Sequence, residues 1–95
     1  PGRVQALLDE ALVHDDRNPR AEQLYAELLL GQGRAVEAEA RARRAVELRR
    51  RRASYRVLLG DALSAQGKHD EARRAYREAL ELDPDDPIAT QRLRR

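Results

Sequence analysis

Apolar positions along this chain recur every three or four residues and never alternate, so the pattern predicts helices and no strand. From Arg3 to His14 the apolar positions are Val4, Leu7, Leu8, Ala11 and Leu12, and Asp15-Asp16-Arg17-Asn18-Pro19 then breaks the helix. Pro19 is placed to open a second helix with Asn18 as its N-cap. That helix carries Leu24, Tyr25, Leu28 and Leu29 and is expected to end near Gly31-Gln32-Gly33, where glycine tolerates the geometry of a helix terminus. A third runs from about Val36 to Leu48, with Ala38, Ala42, Ala45, Val46 and Leu48 inward. This face is mostly small, so neighbouring backbones can approach closely there. After an arginine stretch and Ala53-Ser54, a fourth helix carries Tyr55, Leu58, Leu59, Ala62 and Leu63 and ends at Gln66-Gly67. Asp70-Glu71 favour the start of a fifth through the macrodipole; it packs Ala72, Ala75, Tyr76, Ala79, Leu80 and Leu82 and stops at Asp83-Pro84-Asp85-Asp86. A short sixth, from about Pro87, presents Ile88, Ala89 and Leu93.

The pattern is written twice, about 34 residues apart: Tyr25-Ala26, Leu29, Gly33, Ala38, Ala42, Ala45, then Leu59-Gly60, Leu63, Gly67, Ala72, Tyr76, Ala79. That period predicts a stacked array of helix-turn-helix units, each burying one face alone and needing its neighbours to complete a core. The fold class expected is all-α, with five to six helices. Because the chain opens at Pro1-Gly2 without a methionine and its first helix has no partner upstream, it is expected to be a piece of a longer protein.

Leu59-Gly60-x-x-Leu63, then Gly67, Ala72, Tyr76, Ala79 and Leu82-Asp83-Pro84, resembles one complete tetratricopeptide repeat. The preceding copy matches less strictly, with Arg50 where the family has proline and Tyr25-Ala26 in place of Leu-Gly; Glu22 and Arg56 stand in the usual tryptophan place. The resemblance divides the chain into residues 1–18 (second helix of a truncated repeat), 19–52 and 53–86 (repeats), and 87–95 (start of a further or capping helix). It implies a right-handed superhelical stack whose concave face is lined by the first helix of each unit. Gly60 and Ala26 are then expected where the two helices of a unit cross.

Composition supports this reading. Of the 95 residues 41% are apolar but only 3% aromatic, with no Phe, Trp or Met, so burial must come from Leu, Ala, Val and three tyrosines. Closely packed helices suit that inventory better than a sheet core. No run approaches the ~18 apolar residues of a membrane span, and no signal-peptide pattern opens the chain, which gives a soluble chain with a cytoplasmic location as the expectation. Without cysteine there are no disulfides or thiolate metal sites.

The concave face implied by the resemblance includes Arg20, Gln23, Leu24, Glu27 and Leu30 from one unit and Ser54, Val57, Leu58, Asp61 and Ser64 from the next. It suits a peptide or helix of a partner protein with apolar side chains against Leu24, Leu30 and Val57 and a Lys or Arg against Glu27 and Asp61. Some family members grip the C-terminal carboxylate of a chaperone tail with Lys, Asn and Arg. Here the matching positions hold Gln23, Glu27, Ser54, Leu58 and Asp61, and only Arg92 resembles a clamp residue, so that reading is set aside.

The strongest charge feature is Arg43, Arg44, Arg49, Arg50, Arg51, Arg52 and Arg56, opposed locally by Glu47 alone. Such a cluster attracts phosphates or an acidic partner. Yet Lys68 is the one lysine in the chain, net charge is only +2, and no aromatic is interleaved for base stacking, so nucleic acid is disfavoured. His14 and His69 lack metal-ligand spacing, Asp15-Asp16 and Asp85-Asp86 read as caps, and Ser54 and Ser64 have no nucleophile context. No residue set carries catalysis, and no cofactor is implied. The expected function is a protein-interaction scaffold; the competing expectations are a purely structural or self-associating segment of a larger protein, pairing through Val4, Leu7 and Leu8, and an acidic partner or polyanion bound by Arg49 to Arg52.

Overall fold

The computed structural model describes residues 18–94, and among them lie five helices and no strand. They are α1 Pro19–Gly31, α2 Ala35–Leu48, α3 Ala53–Ala65, α4 His69–Leu82 and α5 Pro87–Leu93. The expectations for Val4, Leu7, Leu8, His14, Asp15, Asp16 and the truncated repeat lie outside the described residues.

Each helix packs on the next, α1 also meets α3, and the result is an all-α solenoid of antiparallel pairs. The α1–α2 and α3–α4 turns are built alike. Gly33 and Gly67 take φ of 76° and 80°, the left-handed region where a Cβ is penalised. Beyond each glycine the next amide reaches back five residues, Arg34 N–H to the Leu29 carbonyl at 2.9 Å and Lys68 N–H to that of Leu63 at 3.0 Å. These bonds satisfy carbonyls orphaned at the helix end. At the other ends, Asn18 Oδ1 accepts from the Ala21 amide at 3.1 Å, and Asp86 Oδ1 from Ile88 and Ala89 at 2.9 and 3.0 Å. Asn18 and Asp86 are thus the N-caps of α1 and α5, each followed by a proline.

The core follows the small-residue seam: Ala26, Ala38, Ala42, Ala45, Ala62 and Ala79 are fully buried. Val46 and Leu80 are half-buried against this core, and two other expected core positions stand apart from it. Leu48 is half-buried and Leu82 is 38% exposed. Both are the last residues of their helices, past the turn in which Ala45 and Ala79 meet the neighbouring helix.

Within each unit the helices cross on a matched pair of residues. In the first unit these are Ala26 and Ala42, both fully buried; in the second they are Gly60 and Tyr76. A Cβ on Gly60 would lie 2.5 Å from Cε1 and 2.8 Å from Cδ1 of Tyr76. The ring has little freedom to retreat, because it is 5% exposed and its hydroxyl donates to Asp61 Oδ1 at 2.6 Å. The absence of a side chain at residue 60 is what admits a tyrosine opposite.

The two units are tied by Glu39 of α2. Its Oε1 accepts from Gln66 Nε2 at 2.8 Å and lies 3.6 Å from Lys68 Nζ, and its Oε2 accepts from Arg43 Nε at 2.8 Å. The Gln66 hydrogen bond, helped by the Arg43 and Lys68 charges, holds the Glu39 carboxyl below its usual range despite partial burial.

Two outcomes follow. Gly60→Ala should lower stability by about 1–2 kcal/mol, overpacking outweighing the gain in helix propensity. In Gly60→Ala with Tyr76→Ala, which copies the Ala26–Ala42 pair, the loss should be smaller than the sum of the single changes; additive losses in urea unfolding would show that the two sites do not touch. For Glu39, a lowered folded pKa means that its stabilisation is complete above about pH 4.5 and vanishes as pH falls through the folded value. Glu39→Gln should therefore be less stable at neutral pH and show a shallower loss on acidification, read from Tm between about pH 6 and pH 3.

Candidate functional site

The first helix of each unit and α5 face the same side, so positions 34 residues apart fall into neighbouring rows. Gln23, Glu27 and Leu30 of α1, Ser54, Val57, Leu58 and Asp61 of α3, and Asp86, Ile88 and Arg92 at α5 line one open recess of about 300 Å³. Seven of these ten were anticipated as groove positions from the sequence. Leu24 is 38% exposed but lies outside the recess, Arg20 stands beside it, and Ser64 lines an adjoining hollow with His69, Tyr76 and Arg92. Val57 and Leu58 are buried, at 6% and 7% exposed, so they form its floor and show a ligand little surface. Leu30 is half-buried and Ile88 is 49% exposed, which leaves these two as the accessible apolar walls.

The groove's charges are arranged unequally. Asp61 accepts from Tyr76 Oη at 2.6 Å and from Arg92 Nε at 3.0 Å, both on Oδ1. Burial and the Asp61 carboxylate push the Tyr76 phenol up, so it stays a donor at all ordinary pH. Asp61, expected as a free partner for a ligand's cation, is instead already paired to α5. Asp86 is committed to its cap. Glu27 is exposed, and its hydrogen-bond partner among the described residues is neutral: Arg20 Nη1 donates to Gln23 Oε1 at 3.0 Å, and Gln23 Nε2 donates to Glu27 Oε1 at 3.2 Å. Asp86 and Ile88 escaped the sequence reading as groove residues. The signal was available, since Ile88 lies 34 residues beyond Ser54 and 68 beyond Arg20.

Part of the arginine cluster is ion-paired, by carboxylates other than the local Glu47. Arg43 pairs with Glu39 at 2.8 Å, Arg44 Nε donates to Glu22 Oε1 at 2.9 Å, and Arg56 Nη1 donates to Glu78 Oε2 at 2.7 Å. Arg49 and Arg52 shape the α2–α3 joint, Arg49 Nη1 bonding the Leu48 carbonyl at 2.9 Å and Arg52 lying 5.7 Å from the Tyr55 ring centre. Three of the seven arginines are thus ion-paired structural residues. Among the described residues no group of His, Cys, Asp or Glu is placed to hold a metal, and no helix is long and apolar enough to cross a membrane.

A solenoid of helix pairs joined by glycine-capped turns, with one groove along its first helices, defines a helical-repeat interaction scaffold. Family models described as tetratricopeptide repeat match residues 53–86 and 19–44, together more than half of the sequence, and the chain belongs to the tetratricopeptide repeat family. Among solved structures it is similar to the first TPR domain of Spaghetti (RPAP3) bound to the HSP90 peptide SRMEEVD, at 28% identity and a TM-score of 0.88, covering 98% of this chain and 76% of that one. It is similar to the first TPR domain of human RPAP3, with the same identity and coverage and a TM-score of 0.89. The second TPR domain of human RPAP3, in complex with the HSP70 peptide SGPTIEEVD, shares its fold at 23% identity and a TM-score of 0.86, over 92% of this chain and 72% of that one. No curated protein matches the sequence significantly.

If Arg56 is a structural residue, Arg56→Ala should lower stability by about 0.5–1 kcal/mol, whereas Arg51→Ala, at the exposed joint, should leave it within about 0.5 kcal/mol. Equal effects in chemical denaturation would return Arg56 to the surface cluster.

Proposed function

We propose that this module binds a peptide segment of a partner protein in the groove between α1, α3 and α5, and that the segment carries a basic side chain for Glu27 and apolar side chains for Leu30 and Ile88. The relatives solved with peptides support a peptide as ligand. The observation that carries the chemistry is the pairing of Arg92 with Asp61, 3.0 Å apart. That contact neutralises the groove's own cation and leaves Glu27 as an exposed charge with no cationic partner among the described residues. The peptides bound by the RPAP3 domains end in Glu-Glu-Val-Asp. Such a tail would bring carboxylates toward Glu27, Asp61 and Asp86 with Arg92 already engaged, and like charges brought together in a partly desolvated groove repel. A basic, apolar segment meets complementary charge instead.

Fluorescence anisotropy with two labelled peptides of equal length tests this: SRMEEVD, and the same sequence with its acidic residues replaced by lysine and its valine kept. The lysine peptide should bind at least tenfold more tightly. Glu27→Lys, which lies on an exposed helix face and should keep the fold by circular dichroism, should erase or reverse that preference. A wild-type preference for SRMEEVD would overturn the proposal.

A further inference from the structure

The joints between units recur at the 34-residue period, but their charge does not. Arg49-Arg50-Arg51-Arg52 links α2 to α3, and the equivalent Asp83-Pro84-Asp85-Asp86 links α4 to α5. Because successive helices run antiparallel, both joints lie on one edge of the solenoid, and the Gly33 and Gly67 turns occupy the other. That edge therefore passes from a basic patch to an acidic one. Arg49, Arg50, Arg51 and Arg52 are exposed, as are Glu81, Asp83 and Asp85, and among the described residues none of them forms an ion pair. The acidic joint is explained locally, since carboxylates are favoured at the amino end of a helix and Asp86 caps α5. The basic joint is not. Arg49 bonds the Leu48 carbonyl at the end of α2, but Arg50, Arg51 and Arg52 stand before the positive end of α3, and Arg52 in its N-cap position makes no side-chain capping bond.

We infer that this edge binds a second copy of the chain about a two-fold axis, the arginine joint of each copy lying against the aspartate joint of the other. An axis normal to the edge, midway between the joints, exchanges the two patches, so every contact is made twice. Arginine bonds carboxylates in a bidentate fork, which adds geometric fit to the attraction. The same operation sets Leu48 of one copy beside Leu82 of the other. These are the two apolar helix ends that stand apart from the core, half-buried and 38% exposed. Exposed ion pairs are individually weak and screened by salt, so the dimer is a weak one held by several contacts at once. It involves neither Glu27 nor the apolar walls of the groove and is independent of what the groove binds.

Sedimentation velocity over rising protein concentration tests the dimer. The wild type should pass from monomer to dimer as its concentration approaches about 1 mM, and raising salt from about 50 mM to about 500 mM should weaken the association at least tenfold. Arg50→Glu with Arg51→Glu and Arg52→Glu makes both joints acidic; Glu81→Arg with Asp83→Arg and Asp85→Arg makes both basic. Each triple variant, shown by circular dichroism to remain helical, should be monomeric alone, and an equimolar mixture of the two should regain the dimer. Should one of them not fold, the other and the salt series decide. The inference is overturned by a wild type that stays monomeric in low salt while polyglutamate binds its arginine joint, which would give the joint to an acidic partner. It is overturned equally by variants that dimerise as the wild type does, or by a mass that grows past the dimer, the mark of head-to-tail stacking.

Discussion

The second unit is organised by the missing side chain at Gly60. Because residue 60 has no Cβ, the Tyr76 ring lies against the α3 backbone, and from there its hydroxyl reaches Asp61 on the groove side. Asp61, held by that bond, presents the same oxygen to Arg92, and Arg92 holds α5 along the groove. One steric vacancy thus fixes a tyrosine, the tyrosine orients a carboxylate, and the carboxylate positions the last helix. The first unit has no such chain. Ala42 stands where Tyr76 would be and carries no hydroxyl, so Glu27, in the place of Asp61, has no anchor from α2 and stays exposed. The unequal charge of the groove originates at this crossing rather than in the groove itself.

A second constraint lies where the family's tryptophan would bridge the two helices of a unit. Glu22 meets Arg44 in the first unit; Arg56 meets Glu78 in the second. Both pairs span 22 residues, and the second is the first with its charges exchanged. Glu22 is fully buried, its Oε2 accepting no hydrogen bond among the described residues while the Arg41 Nη1 lies 3.5 Å away. A buried carboxylate is costly unless cations surround it, so this place is a less economical filler than an indole. What the exchange adds is selectivity. Were α1 to take the place of α3 against α4, Glu22 would meet Glu78, and were α3 to take the place of α1 against α2, Arg56 would meet Arg44. Repeats that share a pattern can mispair, and like charges at the mispaired contact disfavour that outcome.

Most of the fold could be read from the chain because it depends on local and periodic rules. The 34-residue period announced the helical stack, Asn18 and Asp86 behaved as the caps their types suggest, and the Gly60 crossing followed from the family pattern. The site was legible in position and not in charge state. Periodicity puts Glu27 and Asp61 in one row, but nothing local announces that Arg92, 31 residues on, takes Asp61 out of play. The arginine cluster misled for a related reason. Counting charges along the chain sees Arg43, Arg44 and Arg56 beside one another, whereas their carboxylates arrive from Glu39, Glu22 and Glu78 on other turns and helices. The repeat itself held the missing information, since residues 22 and 44 and residues 56 and 78 are equivalent pairs of opposite sign.

The distribution of local signals along the array has a physical logic of its own. The equivalent positions before α1, α3 and α5 hold Asn18-Pro19, Arg52-Ala53 and Asp86-Pro87, and only the middle pair lacks both the capping side chain and the proline. A helix in the interior of a solenoid packs on both sides: α3 buries eight residues, among them Val57, Leu58, Leu59 and Leu63. It therefore holds without a cap. The seven-residue α5 buries only Ala89 completely, and a helix this short is marginal on its own. Its N-terminal amides are satisfied by Asp86, its first φ is fixed by Pro87, and Arg92 ties its far end to Asp61. Strong local signals stand where packing is thin, and the helix they support is the one that closes the groove.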